Sequence, residues 1–334
     1  MGRSWRGCSG WGCFIFFVCG WMSERINVCL CFDDGYFFYG LTTIKSLIQN
    51  NKNHFLSIYI ITDTLKNTNI TILNKLRSDN VDIIIKFIDT TILQHLKIIP
   101  HLKIYAYYRL MIGSILTNLK KVLYLDSDIL VLWDIKTLWN YSIANNDILW
   151  AVSDTWVMEK YWDSFVDNEL WLLNYFNSWV LLIDLEKWNK WDIMNKVISF
   201  ISDYPEKIRY ADQCWLNVVL SNKWTSLPIQ YNFWWTDFNF WDVVIRHFNW
   251  MKPWRLGYIF TMTDDLKHRA GRDFIKYYRY FAGNKLILLP HLLCWCLVNF
   301  LNRIWLYKCI ILIKRKIIIN IISFIKNMNQ IKLK

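Results

Sequence analysis

The chain has 334 residues, of which 54% are hydrophobic and 20% are charged. It is therefore long enough to bury a sizeable core and too apolar for an intrinsically disordered protein. The net charge of +12 comes almost wholly from the end of the chain, because no acidic residue follows Asp273 whereas 11 Lys and Arg do. The rest is close to neutral, which argues against nucleic-acid binding. Nine scattered cysteines, without paired Cys-x-x-Cys units, indicate neither a disulfide framework nor a zinc site.

The first 21 residues differ in composition from everything that follows. They hold five of the 11 glycines, together with several Cys and Trp, whereas a strand begins soon after Met22. We therefore expect residues 1–21 to be a leader outside the native domain, with Met22 as the true start. The alternative is a weak signal peptide, since Arg3 and Arg6 precede a short apolar run.

The pattern from residue 26 onward predicts an open α/β sheet. Near-continuous apolar runs of strand length are typical of strands that are buried on both faces. Segments of helical length separate these runs, which gives a βαβαβ order whose ligands bind beyond the carboxyl ends of the strands. We predict strands at 26–32, 55–62, 81–88, 121–125, 147–153 and 178–185, and helices at 39–50, 66–79, 188–202 and 211–221.

The last 50 residues change character. Residues 286–301 are strongly apolar but are interrupted by Pro290, and they are fewer than the roughly 20 residues that a membrane-spanning helix needs. Residues 303–334 mix Ile, Trp and Phe with Lys and Arg. Such a composition predicts a basic amphipathic segment, 286–334, that lies on an anionic membrane surface. The alternative is an ordinary C-terminal helix that packs on the body.

The sequence Asp126-Ser127-Asp128 carries the clearest chemistry. It directly follows the apolar run at 121–125 and precedes another, so both carboxylates are expected at the carboxyl end of a strand. Two carboxylates there can share Mn²⁺ or Mg²⁺, which prefer hard oxygen ligands. His247 is the candidate for a third ligand, although a lone histidine is more often structural.

Six motifs in order resemble glycosyltransferase family 8, the retaining GT-A enzymes that include bacterial lipopolysaccharide glucosyl- and galactosyltransferases. The motifs span roughly residues 26–255 and read INVCLCFDDGYFFYGLTTIKSL, IPHLKIYAYYRLMI, KVLYLDSDILVLWDI, YFNSWVLLIDLEKW, YADQCWLNVVL and HFNWMKPW. The resemblance implies a Rossmann-like, open mixed sheet flanked by helices, over a domain at 22–285. It also implies a UDP-sugar donor, Mn²⁺ or Mg²⁺, and a glycan or glycolipid acceptor of the lipopolysaccharide or cell-surface type. We expect a cytoplasmic protein, peripheral on the inner face of the membrane.

The resemblance also assigns the site residues. It implies Asp126, Asp128 and His247 as metal ligands, and Gln213, Asp154 and Asp212 as catalytic residues around the transferred sugar. The nucleotide sugar would be bound by Cys31, Asp33, Gly35, Arg109, Ser127, Asn177, Trp250 and Lys252. Retention by double displacement needs a carboxylate nucleophile. Because Gln213 is a poor nucleophile, a front-face mechanism in which it steadies the cationic sugar is easier to support, but the sequence leaves both open.

Tryptophan stands at several motif positions where the family typically has glycine. These positions are Trp133, Trp171, Trp179, Trp215 and Trp250, whereas Trp139, Trp188 and Trp254 stand where the family often has an aromatic residue. A genetic code that reads UGA as glycine would explain both groups. The alternative is a diverged, inactive homologue that keeps the fold as a membrane-associated binding module. A nucleotidyltransferase is a third possibility, but the Gly-rich phosphate loop that it needs is missing.

Overall fold

A computed structural model describes residues 24–93, 104–142, 146–166, 174–204, 212–234 and 242–248, with Lys252 and residues 276–277 and 279–281. The leader 1–21, Trp171, Trp250, Trp254 and the segment 286–334 lie outside these residues. The strands are β1 (Ile26–Cys31), β2 (Leu56–Thr62), β3 (Val81–Phe87), β4 (Lys121–Leu125), β5 (Ile129–Val131), β6 (Leu149–Ser153), β7 (Phe176–Asp184), β8 (Trp224–Leu227) and β9 (Ile245–His247).

Seven strands form one mixed sheet in the order β3-β2-β1-β4-β7-β6-β8. The first four are parallel, β7 is antiparallel to both β4 and β6, and β8 is parallel to β6. Strands β5 and β9 form a separate antiparallel pair. The predicted open mixed α/β sheet is therefore confirmed.

Helices cover the sheet: α1 (Phe37–Asn50), α2 (Asn67–Asn74), α3 (Ile112–Ile115), α4 (Lys136–Trp139), α5 (Thr155–Val166), α6 (Leu185–Lys190), α7 (Ile193–Asp203) and α8 (Asp212–Val219). In α1 the apolar residues Phe37, Leu41 and Ile44 recur at three- and four-residue spacing and are fully buried, as expected for a helix with one face on a sheet. Among the described helices, none combines the length and the apolarity needed to cross a membrane.

Two predicted elements differ from the structure. The single helix predicted at 188–202 is divided into α6 and α7, because Asp192 adopts a left-handed backbone conformation (φ 52°) between them. The run at 81–88 was expected to be buried on both faces, but β3 is an edge strand and three of its residues are exposed. An apolar run shows that a segment is extended, whereas the number of its neighbours is decided by the assembled sheet.

The core lies on both faces of the sheet. One cluster includes Cys29, Tyr124 and Leu181, and a second, between the sheet and α1, includes Val28, Leu123 and Leu182. The two sets alternate along the same strands, as the period of a β-strand requires. Trp188 belongs to the first cluster and Trp139 to the second, so both indoles fill core volume.

Candidate active site

The structure brings the three predicted metal ligands together at one end of the sheet. Asp126 directly follows β4, and Asp128 directly precedes β5. The antiparallel pairing of β5 with β9 places His247 opposite Ile129, and one ligand atom from each of the three residues lies within 4.8 Å of the others. Two carboxylates and one imidazole at this spacing fit a divalent ion such as Mn²⁺.

Two basic side chains, His247 and Lys252, contact Asp128. His247 Nε2 lies 2.9 Å from its Oδ1, and the Lys252 ammonium donates to its Oδ2. Burial by itself raises the pKa of this carboxyl, but Lys252 and His247 outweigh it and hold the pKa of Asp128 well below the usual range. Asp128 is therefore a carboxylate at every physiological pH, as a metal ligand must be.

Asp126 is held by two side chains. The Tyr124 hydroxyl donates to Asp126 Oδ1 at 2.5 Å, and Arg109 Nη2 lies 3.4 Å from the same oxygen. Burial raises the pKa of Asp126, and the Arg109 guanidinium opposes that rise. Arg109 was predicted to contact the donor, and the structure places its buried guanidinium beside the predicted metal site.

A buried polar network surrounds the first residues of β7 and shares Arg109 with this cluster. Ser178 donates from its backbone N and its Oγ to Gln213 Oε1, at 3.0 and 3.2 Å, and its carbonyl oxygen accepts from Arg109 at 2.5 Å. Asn177 Nδ2 donates to Asp154 Oδ2 at 3.1 Å. Burial raises the pKa of the Asp154 carboxyl. The predicted residues Asp154, Asn177 and Gln213 are thus close together. Helix α8 begins at Asp212, whose side chain lies outside the described part.

The predicted nucleotide-binding residues lie at the end of β1. Because Cys29 pairs with Tyr124, the ends of β1 and β4 are adjacent, and Cys31 lies beside the metal cluster. Cys31 is buried, which raises the pKa of its thiol. Asp33 Oδ1 accepts from the backbone N of Tyr36 at 2.9 Å and so caps the short 3₁₀ helix that contains Gly35. Ser127 is buried, and its carbonyl oxygen accepts from Thr43 at 2.9 Å.

Trp179 lies directly against the metal cluster. Its ring centroid is 4.1 Å from that of His247 and 5.7 Å from that of Trp234. By contrast, Trp133 is 60% exposed, and Trp215 is fully buried with its ring stacked on Phe200 at 5.7 Å.

None of these three tryptophans has a positive φ, since Asp192 and Asn222 are the described non-glycine residues that do. A positive φ is therefore no reason for glycine at these three positions. At Trp179 a steric argument remains, because the indole fills space beside a predicted ligand. Nothing in the structure explains glycine at Trp215.

Sequence reasoning missed two residues that organise the site. They are Tyr124 and Asn232, the second of which donates from Nδ2 to Asn177 Oδ1 at 2.8 Å and is fully buried. Tyr124 could have been found, because residues two apart on a strand share a face and it precedes Asp126 by two. Asn232 is 55 residues from its partner in sequence, and no local pattern indicates the contact.

Comparisons with known proteins agree with this geometry. The sequence profile of Glycosyl transferase family 8 matches residues 27–256, which is more than half of the chain. The chain belongs to glycosyl transferase family 8. It is 31% identical over 215 residues to general stress protein A of Bacillus subtilis (strain 168), covering 63% of this chain and 74% of that protein.

A second relative has a named activity. The chain is 32% identical over 213 residues to a lipopolysaccharide 1,2-glucosyltransferase of Escherichia coli (strain K12), covering 63% of this chain and 62% of that enzyme. The match thus spans less than two thirds of the length of the E. coli enzyme. Among solved structures, the galactosyltransferase LgtC, in complex with donor and acceptor sugar analogues, superposes with a TM-score of 0.65 over 78% of this chain and 97% of that one. At 22% identity this likeness shows the shared fold.

Proposed function

We propose that this family 8 glycosyltransferase moves a hexose from a UDP-sugar to a glycan or lipid-linked acceptor, with a divalent metal ion and with retention of anomeric configuration. The observation that carries the proposal is the convergence of Asp126, Asp128 and His247 at the carboxyl end of the parallel strands. The similarity to a lipopolysaccharide 1,2-glucosyltransferase supports an acceptor of the cell-surface type.

Charge in the site suits a departing nucleoside diphosphate. A divalent ion bound by Asp126, Asp128 and His247 would counter the negative charge that develops on UDP. Lys252 lies beside the same cluster, where its ammonium contacts Asp128. It can therefore bind a diphosphate oxygen at short range from the metal ligands, and a cation placed in advance stabilises developing charge without reorganisation.

The surroundings of Asp154 and Gln213 support a front-face mechanism more than double displacement. Asp154 is 3% exposed, and its two oxygens accept from Val157 N and Asn177 Nδ2, which leaves it poorly placed as a nucleophile. Gln213 is an amide, which is a weak nucleophile but a good hydrogen-bond partner for a sugar. Its orientation is fixed by the two hydrogen bonds from Ser178. We assign Gln213 the role of steadying the positively charged sugar, which would replace the Ser178 hydroxyl, the more distant of the two donors, at Gln213 Oε1.

The composition of segment 286–334 suggests where the enzyme acts. We propose that the protein is cytoplasmic and binds the inner face of the membrane through the basic segment 286–334. Support for this comes from the composition, since Lys and Arg near an anionic surface each contribute roughly 1 kcal/mol of binding. A membrane-bound enzyme would meet a lipid-linked acceptor at the surface where that acceptor is held.

Donor turnover tests the proposal. UDP release from UDP-glucose and UDP-galactose would be measured with Mn²⁺, with EDTA, and with Mn²⁺ restored after chelation, in the chain with tryptophan and with glycine at residue 179. We expect metal-dependent UDP release that Asp126→Asn abolishes. The control Asp134→Asn makes the same change at an exposed carboxylate and should leave release unchanged. UDP release that is indifferent to EDTA would refute the metal assignment, and no release from either donor would refute the donor class.

A further inference from the structure

Among the described residues, the two groups that contact the Asp126 carboxylate meet the same oxygen. Tyr124 donates its hydroxyl hydrogen to Oδ1 at 2.5 Å, and Arg109 Nη2 lies 3.4 Å from the same Oδ1. A carboxylate oxygen that accepts a short hydrogen bond from a phenol and also faces a guanidinium has little lone-pair capacity left for a metal ion. Oδ2 is then the oxygen that Asp126 presents to the cluster with Asp128 and His247.

The Tyr124 hydroxyl has little freedom to move. Tyr124 lies on β4 two residues before Asp126, so the two side chains leave the strand on the same face. Its ring is 2% exposed within the core cluster that contains Cys29 and Leu181, and the Arg109 guanidinium lies over it at 4.9 Å from the centroid. A packed ring on a central strand fixes the position of its hydroxyl, and the hydroxyl in turn fixes the carboxylate.

We propose that Tyr124 is a positioning residue for the metal site, whose hydroxyl makes Asp126 a single-oxygen ligand and so favours Mn²⁺ or Mg²⁺ over Ca²⁺. This inference rests on the proposed metal site. Groups that hydrogen-bond to metal ligands orient them, and their loss typically lowers metal affinity about 10–100-fold. Small ions with six ligands suit single-oxygen carboxylates, whereas Ca²⁺ accepts six to eight oxygens and readily takes both oxygens of a carboxylate.

The variant Tyr124→Phe tests the inference because it removes the hydroxyl and keeps the ring below Arg109. Mn²⁺ binding would be followed by electron paramagnetic resonance of the free ion, without nucleotide, and Ca²⁺ binding by competition. We expect Mn²⁺ affinity to fall about 10–100-fold. Ca²⁺ affinity should fall less, because the released carboxylate can offer both oxygens, so the ratio of the two affinities should shift toward Ca²⁺.

Tyr59→Phe is a matched control. Tyr59 and Tyr124 are the partners of Cys29 on its two neighbouring strands, and both rings belong to the same core cluster. Removing the Tyr59 hydroxyl is thus the same chemical change at the same level of the sheet, two strands away from Asp126. We expect Tyr59→Phe to leave both metal affinities unchanged.

The outcomes separate the inference from the function on which it rests. Unchanged Mn²⁺ affinity in Tyr124→Phe overturns the inference. An equal fall in Mn²⁺ and Ca²⁺ affinity overturns the part of the inference that concerns ion preference. The ratio of the two affinities does not depend on the fraction of the variant that is folded. If the chain that retains Tyr124 binds no Mn²⁺, whether residue 179 is tryptophan or glycine, the proposed metal site itself is wrong.

Discussion

Replacing Trp179 by glycine should make the protein less stable and the enzyme more active. The backbone contacts of residue 179 do not need the indole: its N donates to Asn177 Oδ1 at 3.1 Å, and its carbonyl oxygen accepts from Asp126 N at 2.9 Å. Glycine keeps both bonds. What is lost is the ring, which lies 4.1 Å from the His247 ring and 5.7 Å from the Trp234 ring.

The loss of stability follows from these contacts. Each ring pair contributes about 0.5–1.5 kcal/mol, and glycine inside a strand costs about 0.5–1 kcal/mol. The free energy of unfolding should therefore fall by about 1.5–4 kcal/mol. Since 1 kcal/mol shifts the melting temperature of a domain of 150–250 residues by about 2–4 °C, the expected fall is roughly 3–16 °C.

Activity should change in the opposite direction, because the indole fills space beside the predicted metal ligands. Thermal melting and UDP release with Mn²⁺ would be measured on the same preparations. We expect no turnover with Trp179 and measurable turnover with glycine. The control adds Trp133→Gly to the Trp179→Gly chain; because the Trp133 indole is 60% exposed, its removal should change the melting temperature little and leave turnover unchanged. A folded Trp179→Gly variant without turnover would refute the reasoning, and so would equal turnover in both chains.

Four other outcomes are expected. Lys252→Met should weaken UDP binding about 10–100-fold, the loss of one hydrogen bond to a charged group, and calorimetry showing unchanged affinity would count against its role. Asp34→Asn should destabilise the protein at neutral pH, because hydrogen bonds from Lys66 N and Asn69 hold the pKa of Asp34 below its ordinary value of 3.8. The stability that the ionised carboxylate contributes is present above pH 3.8 and is lost as the pH falls below it. The denaturation curves of variant and parent should therefore converge in acid. Truncation after residue 285 should release the protein from anionic vesicles while donor turnover persists, and equal sedimentation with neutral and anionic vesicles would contradict this. Trp139→Gly should lower the free energy of unfolding by at least about 3–5 kcal/mol, the value for deleting a buried aromatic ring. The codon for Trp139 should be UGG, whereas UGG codons at Trp179 and Trp250 would refute the recoding hypothesis.

The sequence by itself determined the fold class and predicted a candidate site. Apolar runs located six of the nine strands in the described part of the chain, because a buried strand must be apolar over its own length whatever surrounds it. The carboxylates of Asp126 and Asp128 could be placed at the end of a strand for the same reason. Motif order then indicated the family, and the resemblance implied the remaining candidate site residues.

Tertiary structure decided what depends on partners that are distant in the chain. The short strands β5 and β9 carry too few residues for a pattern, yet their pairing brings His247 to Asp128 from 119 positions away. Because β7 runs antiparallel to β4, its first residues, with Asn177 and Ser178, lie at the same edge of the sheet as the carboxyl end of β4. The contact of the Trp179 ring with His247 likewise exists because separate strands meet at one edge of the sheet. The sequence specifies which side chains are present, but the distance between two of them is set only when the chain folds and packs.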